Sequence, residues 1–320
     1  MNYDVICIGG ATEDVFIQSQ EFKIEKNKKT KIIECILSIG QKINIEQLNF
    51  ATGGGGTNCA VALSRMGFKT ALISKVNIDD NAGGIILKEL RGEKVNIDHV
   101  LLDPRHQTGY AIALLTENGE RTILVFRGAG ANINQIDIEK EKIIDTKWLH
   151  ITSLGGNFET LNKIFNIAKN NAIKVFFNPG TAELENKEID SLLATCDILL
   201  LNTREAQFLT KETDIAKIFT KLTKKIPGIS VVTDGAAGAY ATDRKNIFKI
   251  QAGGSKAVDT TGAGDAFGAS FLAGIILKND IQYALQLGIH NSDKVIQKIG
   301  AKPGLINNVP DKFDMEVKII

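Results

Sequence analysis

Apolar residues fall in two patterns along the chain. Short, nearly continuous runs mark strands buried on both faces: YDVICIGG from Tyr3, TALISKV from Thr70, KWLHITSL from Lys147, KVFFNPG from Lys174, DILLLN from Asp197 and GISVVTDG from Gly228. Longer runs with apolar residues three and four apart mark helices between them. These are NCAVALSRMG, closed by Gly67, then GGIILKELRGE, FETLNKIFNIAKNN, IDSLLATC, REAQFLT and AKIFTKLTKK. AYATD and IFKI read as a hairpin, and two last helices follow from about Ala263. Strand–helix alternation of this length predicts an α/β fold with a mostly parallel central sheet flanked by helices.

Two segments break the alternation. From Val15 to Phe50 the text is rich in Lys, Glu, Gln and Asn, with alternating pieces such as KIIECILSI that suit exposed, twisted strands. From Thr108 to Arg127 two strand patterns flank Asn118-Gly119, a strong hairpin signal. The two segments are expected to pair into one small β-sheet that caps the main domain. Domain bounds follow as 1–14, 51–107 and 128–320 for the α/β part, and 15–50 and 108–127 for the cap. KIEKNKKTK reads as a solvated hairpin tip in preference to an anion patch.

Composition narrows the function classes. The 320 residues are 43% hydrophobic and 23% charged, and their net charge of +1 implies no general affinity for nucleic acid or anionic membrane. Cys7, Cys35, Cys59 and Cys196 are far apart and show no metal spacing; buried free thiols are the reading for Cys7 and Cys59. With no signal peptide and no apolar run long enough for a bilayer, a cytoplasmic location is expected.

Chemistry concentrates in two stretches. In VDTTGAGDAFGASFLAG from Val258, Gly262, Ala263 and Gly264 can bring backbone N–H groups close to an anion, and the helix they open adds its positive dipole end. Asp265 sits in the first turn, where an aspartate can be a mere cap. The small residues Gly268, Ala269, Ala273 and Gly274 that follow favour a constrained phosphate site instead. A Rossmann turn needs G-x-G-x-x-G early in the chain, whereas Gly262, Gly264 and Gly268 are spaced G-x-G-x-x-x-G and come late; no Walker A run occurs. A carboxylate beside a backbone anion hole suits deprotonation of an alcohol during phosphoryl transfer. In ATGGGGTNCAVALSRMG, four glycines, Gly53 to Gly56, lead into a helix with Asn58 at its mouth, and Asp14 follows the first strand. That carboxylate and amide in one pocket suit a polyol.

On GGGGTNCAVALSRMG and AVDTTGAGDAFGASFLAG, supported by FNPG, LNTREA and VVTDGAAGAY, the chain resembles the ribokinase-like, or PfkB, family of carbohydrate and nucleoside kinases from Tyr3 to about Gly304. The resemblance implies Asp265 as general base and Gly262, Ala263 and Gly264 as the anion hole. Asp14, Gly54, Gly55 and Asn58 fall on the substrate side. Asn178, Asn202, Glu205, Thr233, Gly235, Gly238 and Asn291 fall on the nucleotide side, with Glu205 serving Mg²⁺ through water. Asp259 and the Thr261 carbonyl resemble a monovalent-cation site, usually for K⁺. The implied reaction is ATP-dependent phosphorylation of a hydroxymethyl group of a sugar. A nucleoside kinase, with Phe16, Phe22, Tyr110 or Phe126 near the base, and a non-catalytic relative are the alternatives. The small sheet corresponds to the family's lid, which in several members also makes a dimer contact. Gly55 stands where ribokinases proper usually carry lysine, making a phosphosugar acceptor less expected. Arg127 on the lid side could still meet an anion, and His290 could approach the base.

Overall fold

The continuous apolar runs become neighbouring strands of one sheet. The computed structural model describes residues 1–28, 33–115 and 121–320. From one edge, the order is Val317–Ile319, Ile247–Ile250, Ala239–Thr242, Ile229–Thr233, Ile198–Asn202, Lys174–Asn178, Thr146–Thr152, Tyr3–Ile8 and Thr70–Ile73. Strands from Ile229–Thr233 onward run parallel, and the first three pair antiparallel.

Alternate residues of each strand serve different cores. Val5 and Cys7 join the helices Gly55–Arg65, Ala263–Lys278 and Ile281–Val295 on one face. Ile6 and Ile8 join Phe158–Asn170 and Ile215–Lys225 on the other. Both faces are therefore covered, which accounts for the unbroken apolar runs.

Three local details differ from the expected pattern. TALISKV breaks at Ser74: Thr70–Ile73 stays in the main sheet, while Lys75–Val76 pairs with Leu101–Leu102. IDSLLATC is helical only over Ile189–Leu193. The edge strand Val317–Ile319 and the short helices Lys140–Ile143 and Thr181–Leu184 were not anticipated, because three or four residues carry too little periodicity to read.

A second sheet has the order Arg121–Phe126, Gly109–Leu115, Thr12–Gln18 and Gln47–Gly53. Thr12–Gln18 runs parallel to Gly109–Leu115, so the two irregular segments do hydrogen-bond to each other. Asn118-Gly119 lies outside the described residues; the strands on either side pair antiparallel from Leu115 opposite Arg121. Lys23–Lys26 and Ile33–Ile36 form a separate antiparallel pair, and the tip of KIEKNKKTK lies partly outside the described residues. Register sets Asp14 across from Ala111 and Ala51 on one face, next to Phe16 and Ala113. Leu48, Phe50, Leu124 and Phe126 lie on the opposite face and are exposed. Among the described residues no helix is long and apolar enough to cross a membrane.

The helix Ala263–Lys278 is buried from Ala266 to Ile275. Its glycines set how closely it packs. A Cβ on Gly268 would lie 2.8 Å from Leu200 Cδ2, and one on Gly274 would lie 2.6 Å from Ala284 Cα. The second neighbour is backbone and cannot rotate away. Gly274→Val should therefore lower unfolding stability by about 1–3 kcal/mol through overpacking, as read from a urea titration.

Candidate active site

Parallel strands end on one side of the sheet, and ligands of open α/β sheets sit there. The chain leaves Tyr3–Ile8 toward Thr70–Ile73, then returns to Thr146–Thr152 on the first strand's other side. At this switch point the Thr152 hydroxyl donates to the Ile8 carbonyl, and the following loops open into a cavity of about 410 Å³. Asp14, Asn58, Arg127, Glu205 and Asp265 face it. A second cavity of about 450 Å³ lies alongside, bordered by Thr233, Gly235 and Gly238 and floored by Phe267, Ile289 and Ile296.

The turn Thr260–Asp265 is the wall between the two. Thr261, Gly262 and Asp265 face the first cavity, while Thr260, Ala263 and Gly264 face the second. Gly262 takes φ +75°, which only glycine adopts easily, and a Cβ there would lie 2.3 Å from that of Ala301. A Cβ on Gly264 would meet nothing within 4 Å, so space remains beside the helix N-terminus.

The two sequence stretches meet at Asp265. Asn58 Nδ2 donates to Asp265 Oδ2 at 2.8 Å, joining the first turns of two helices. Asn58 Oδ1 is buried and has no partner among the described residues, so the amide's acceptor is left for a hydroxyl donor from a ligand. Protein surrounds the Asp265 carboxylate except on its cavity side. That burial raises its pKa above the ordinary aspartate value, while the Asn58 bond and the nearby Lys302 charge oppose the rise. Burial also raises Asp14, against the bond from Thr12 Oγ1 at 2.6 Å and the Lys302 charge.

The glycine run proves to be a packing device first. Cβ atoms on Gly53, Gly54, Gly55 and Gly56 would meet Asp14 Oδ2 at 2.0 Å, the Gly10 carbonyl at 2.5 Å, Thr152 Oγ1 at 2.9 Å and Gly9 at 2.7 Å. Gly54 and Gly55 also border the first cavity. Asn202 and Glu205 cap each other: Glu205 N–H donates to Asn202 Oδ1, and Asn202 N–H donates to Glu205 Oε2. Glu205 still faces the first cavity, its pKa raised by burial against the Asn202 bonds. Asn178 faces it too and donates to the Leu200 carbonyl.

Asn291 is corrected. It is fully buried, donates to Ser270 Oγ at 2.8 Å and accepts from Ile306 N–H at 3.0 Å. Ile289, Ser292, Asp293 and Ile296 line the second cavity, a helical stripe that excludes Asn291. His290 is likewise off the cavity, with its ring 5.4 Å from that of Phe313. None of Phe16, Phe22, Tyr110 and Phe126 borders the first cavity.

Lys302 went unnoticed in the sequence. It is 3% exposed, donates to Thr52 Oγ1 at 2.6 Å and pairs with Glu89 Oε2 at 3.0 Å. This places a cation behind Asp14 and Asp265. Its only sequence signal is a lysine among the small residues of GAKPG.

The profile of the pfkB family carbohydrate kinases matches residues 29–308. The chain belongs to the PfkB family. An uncharacterized sugar kinase of Archaeoglobus fulgidus is 32% identical over 255 residues, spanning 78% of this chain and 100% of that protein. A ribokinase of Staphylococcus aureus is 28% identical over 85% of this chain and 91% of its own. Among solved structures, an adenosine kinase from Sinorhizobium meliloti superposes with a TM-score of 0.79 at 22% identity, covering 95% of this chain and 96% of that one. Arabidopsis thaliana ribokinase, complexed with ribose and ATP, gives 0.79 at 20% identity over 96% of each chain. These two likenesses concern the fold, which is ribokinase-like. The kinase is a phosphotransferase.

A raised pKa on a buried carboxylate sets a pH dependence of the kinase's stability. Ionised Asp265 weakens the fold by the full amount above its raised folded pKa; the penalty shrinks as the pH falls below that value and is gone below the ordinary aspartate pKa of the unfolded chain. Asp265→Asn should therefore melt about 2 °C or more above wild type in mildly alkaline buffer, with the gain shrinking as the pH falls. Differential scanning calorimetry across pH reads this directly.

Proposed function

We propose that this kinase phosphorylates a hydroxymethyl group of a sugar with ATP, and that Asp265 is the general base. The observation that carries the reading is the shared wall: Asp265 faces one cavity while Ala263 and Gly264 face the other. A hydroxyl held by Asp14 and Asn58 loses its proton to Asp265. Its oxygen attacks the γ-phosphorus entering from the second cavity, the bond from that phosphorus to the β,γ-bridging oxygen breaks, and ADP leaves with that oxygen. Backbone N–H groups of Gly262, Ala263 and Gly264 at the helix N-terminus hydrogen-bond the transferring oxygens. Thr233, Gly235 and Gly238 border the nucleotide.

Among the described residues no group of three or more His, Cys, Asp or Glu side chains could hold a metal. That suits Mg²⁺ carried by nucleotide phosphates and its own waters. Glu205 faces the cavity beside Asn178 and is the carboxylate to hold those waters, with Asn202 fixing it. The ion supplies charge neutralisation on the phosphates.

A sugar fits better than a nucleoside because, among the described residues, no aromatic side chain lines the first cavity. The small sheet of strands Thr12–Gln18, Gln47–Gly53, Gly109–Leu115 and Arg121–Phe126 acts as the lid: Ile123 and Val125 face the cavity. Its other face exposes Phe50 at 62% and Leu124 at 53%, an apolar surface that favours a homodimer through the lid. Four free cysteines suit a cytoplasmic location.

A coupled assay over neutral pentoses, hexoses, acidic sugars and nucleosides tests the acceptor, and transfer to nucleosides alone would refute the sugar reading. Asp265→Asn should lose about 10²–10⁴-fold in turnover while still binding ATP by calorimetry. Asn58→Ala removes a bond that favours the ionised carboxylate. Its acid limb in kcat/KM should shift to higher pH than the wild-type limb.

A further inference from the structure

Asp259 stands immediately before the anion turn and is 1% exposed. Its carboxylate holds that turn from both oxygens. Oδ1 accepts from Thr261 N–H at 2.9 Å and Thr261 Oγ1 at 2.7 Å; Oδ2 accepts from Gly300 N–H at 2.9 Å. A buried carboxylate also calls for a compensating positive charge. A monovalent ion is the expected source, but both oxygens are engaged, and a cation already faces them. Arg121 Nη1 lies 3.8 Å from Asp259 Oδ1 and donates to Thr260 Oγ1. The guanidinium stands where an alkali ion would approach Oδ1, and an ion there would sit against a fixed positive charge, so the residues present do not fit it.

We propose that Arg121 is the built-in cation of this kinase, holding the anion turn through Asp259 and Thr260 so that catalysis does not require potassium. This rests on the kinase reading above. Arg121 is a positioning residue, acting on Gly262–Gly264 through the segment before them. It belongs to the strand Arg121–Phe126 of the small sheet, and Asp259 belongs to the main domain. The charge is thus brought in from the lid: the turn is complete when the small sheet lies over the cavity. A diffusible ion would leave the turn equally charged with the lid open or closed.

The test compares wild type, Arg121→Ala and Arg121→Lys in potassium chloride and in tetramethylammonium chloride at matched ionic strength. Initial rates and melting temperatures are measured in each. Wild type should turn over within about twofold in the two salts and melt at the same temperature, since an ion that does not bind the native state cannot stabilise it. Arg121→Ala should fall about tenfold or more in tetramethylammonium, recover in potassium, and melt higher in potassium, as an ion enters beside the exposed Asp259 charge. Arg121→Lys should keep its indifference to potassium. Strong activation or thermal stabilisation of wild type by potassium would overturn the proposal. So would an Arg121→Ala protein that folds yet ignores potassium in both readouts. If no acceptor is phosphorylated in either salt, the kinase reading fails, while the melting temperatures still decide which cation faces Asp259.

Discussion

The hydrogen bond from Asn58 to Asp265 ties together segments 207 residues apart in sequence, and the site depends on it. It joins the first turns of two helices, so both N-termini point at one region. Two converging dipole ends make that region favourable for anions. The same convergence requires glycine wherever backbone meets backbone: Gly54 against Gly10, Gly56 against Gly9, and Gly262 against Ala301. The motif glycines are thus explained by packing before any ligand is considered. Open space beside Gly264 is what packing leaves over.

Electrostatics around this contact are graded with depth. Asp265 and Asp14 are both pushed toward the neutral form by burial, and Lys302 opposes that from behind. Lys302 is itself buried and pushed downward by desolvation, with Glu89 restoring its charge. One buried cation therefore serves two acids and is steadied by a third. Arg65 extends the arrangement: it pairs with Glu93 Oε1 at 2.6 Å and donates to the Lys302 carbonyl at 2.8 Å, fixing the loop that carries the lysine. A base that must accept a proton benefits from being raised; one that must stay ionised between turnovers benefits from being held.

Much of this was legible in the sequence, for a physical reason. Strands buried on both faces leave unbroken apolar runs, and tight backbone contacts leave glycines, so the central sheet and both motif loops show in the text. Residues whose roles come from partners far along the chain do not. Lys302, Glu89 and Thr52 look like ordinary surface residues until the fold brings them together. Arg121 lies in the unremarkable run ERTILVF. Asn291 differs: the family resemblance put it on the nucleotide side, but the 100° turn per residue carries its amide to the stripe opposite the cavity-lining residues.

The first strand has a further consequence, for how the chain is made. Tyr3–Ile8 hydrogen-bonds on one side to Thr70–Ile73 and on the other to Thr146–Thr152. The first strand therefore waits for its second neighbour until about 140 further residues have been synthesised. Asn58 waits longer still, since Asp265 follows 207 residues later. Contacts this distant close slowly, and until they do the apolar edges of the growing sheet stay exposed to other chains.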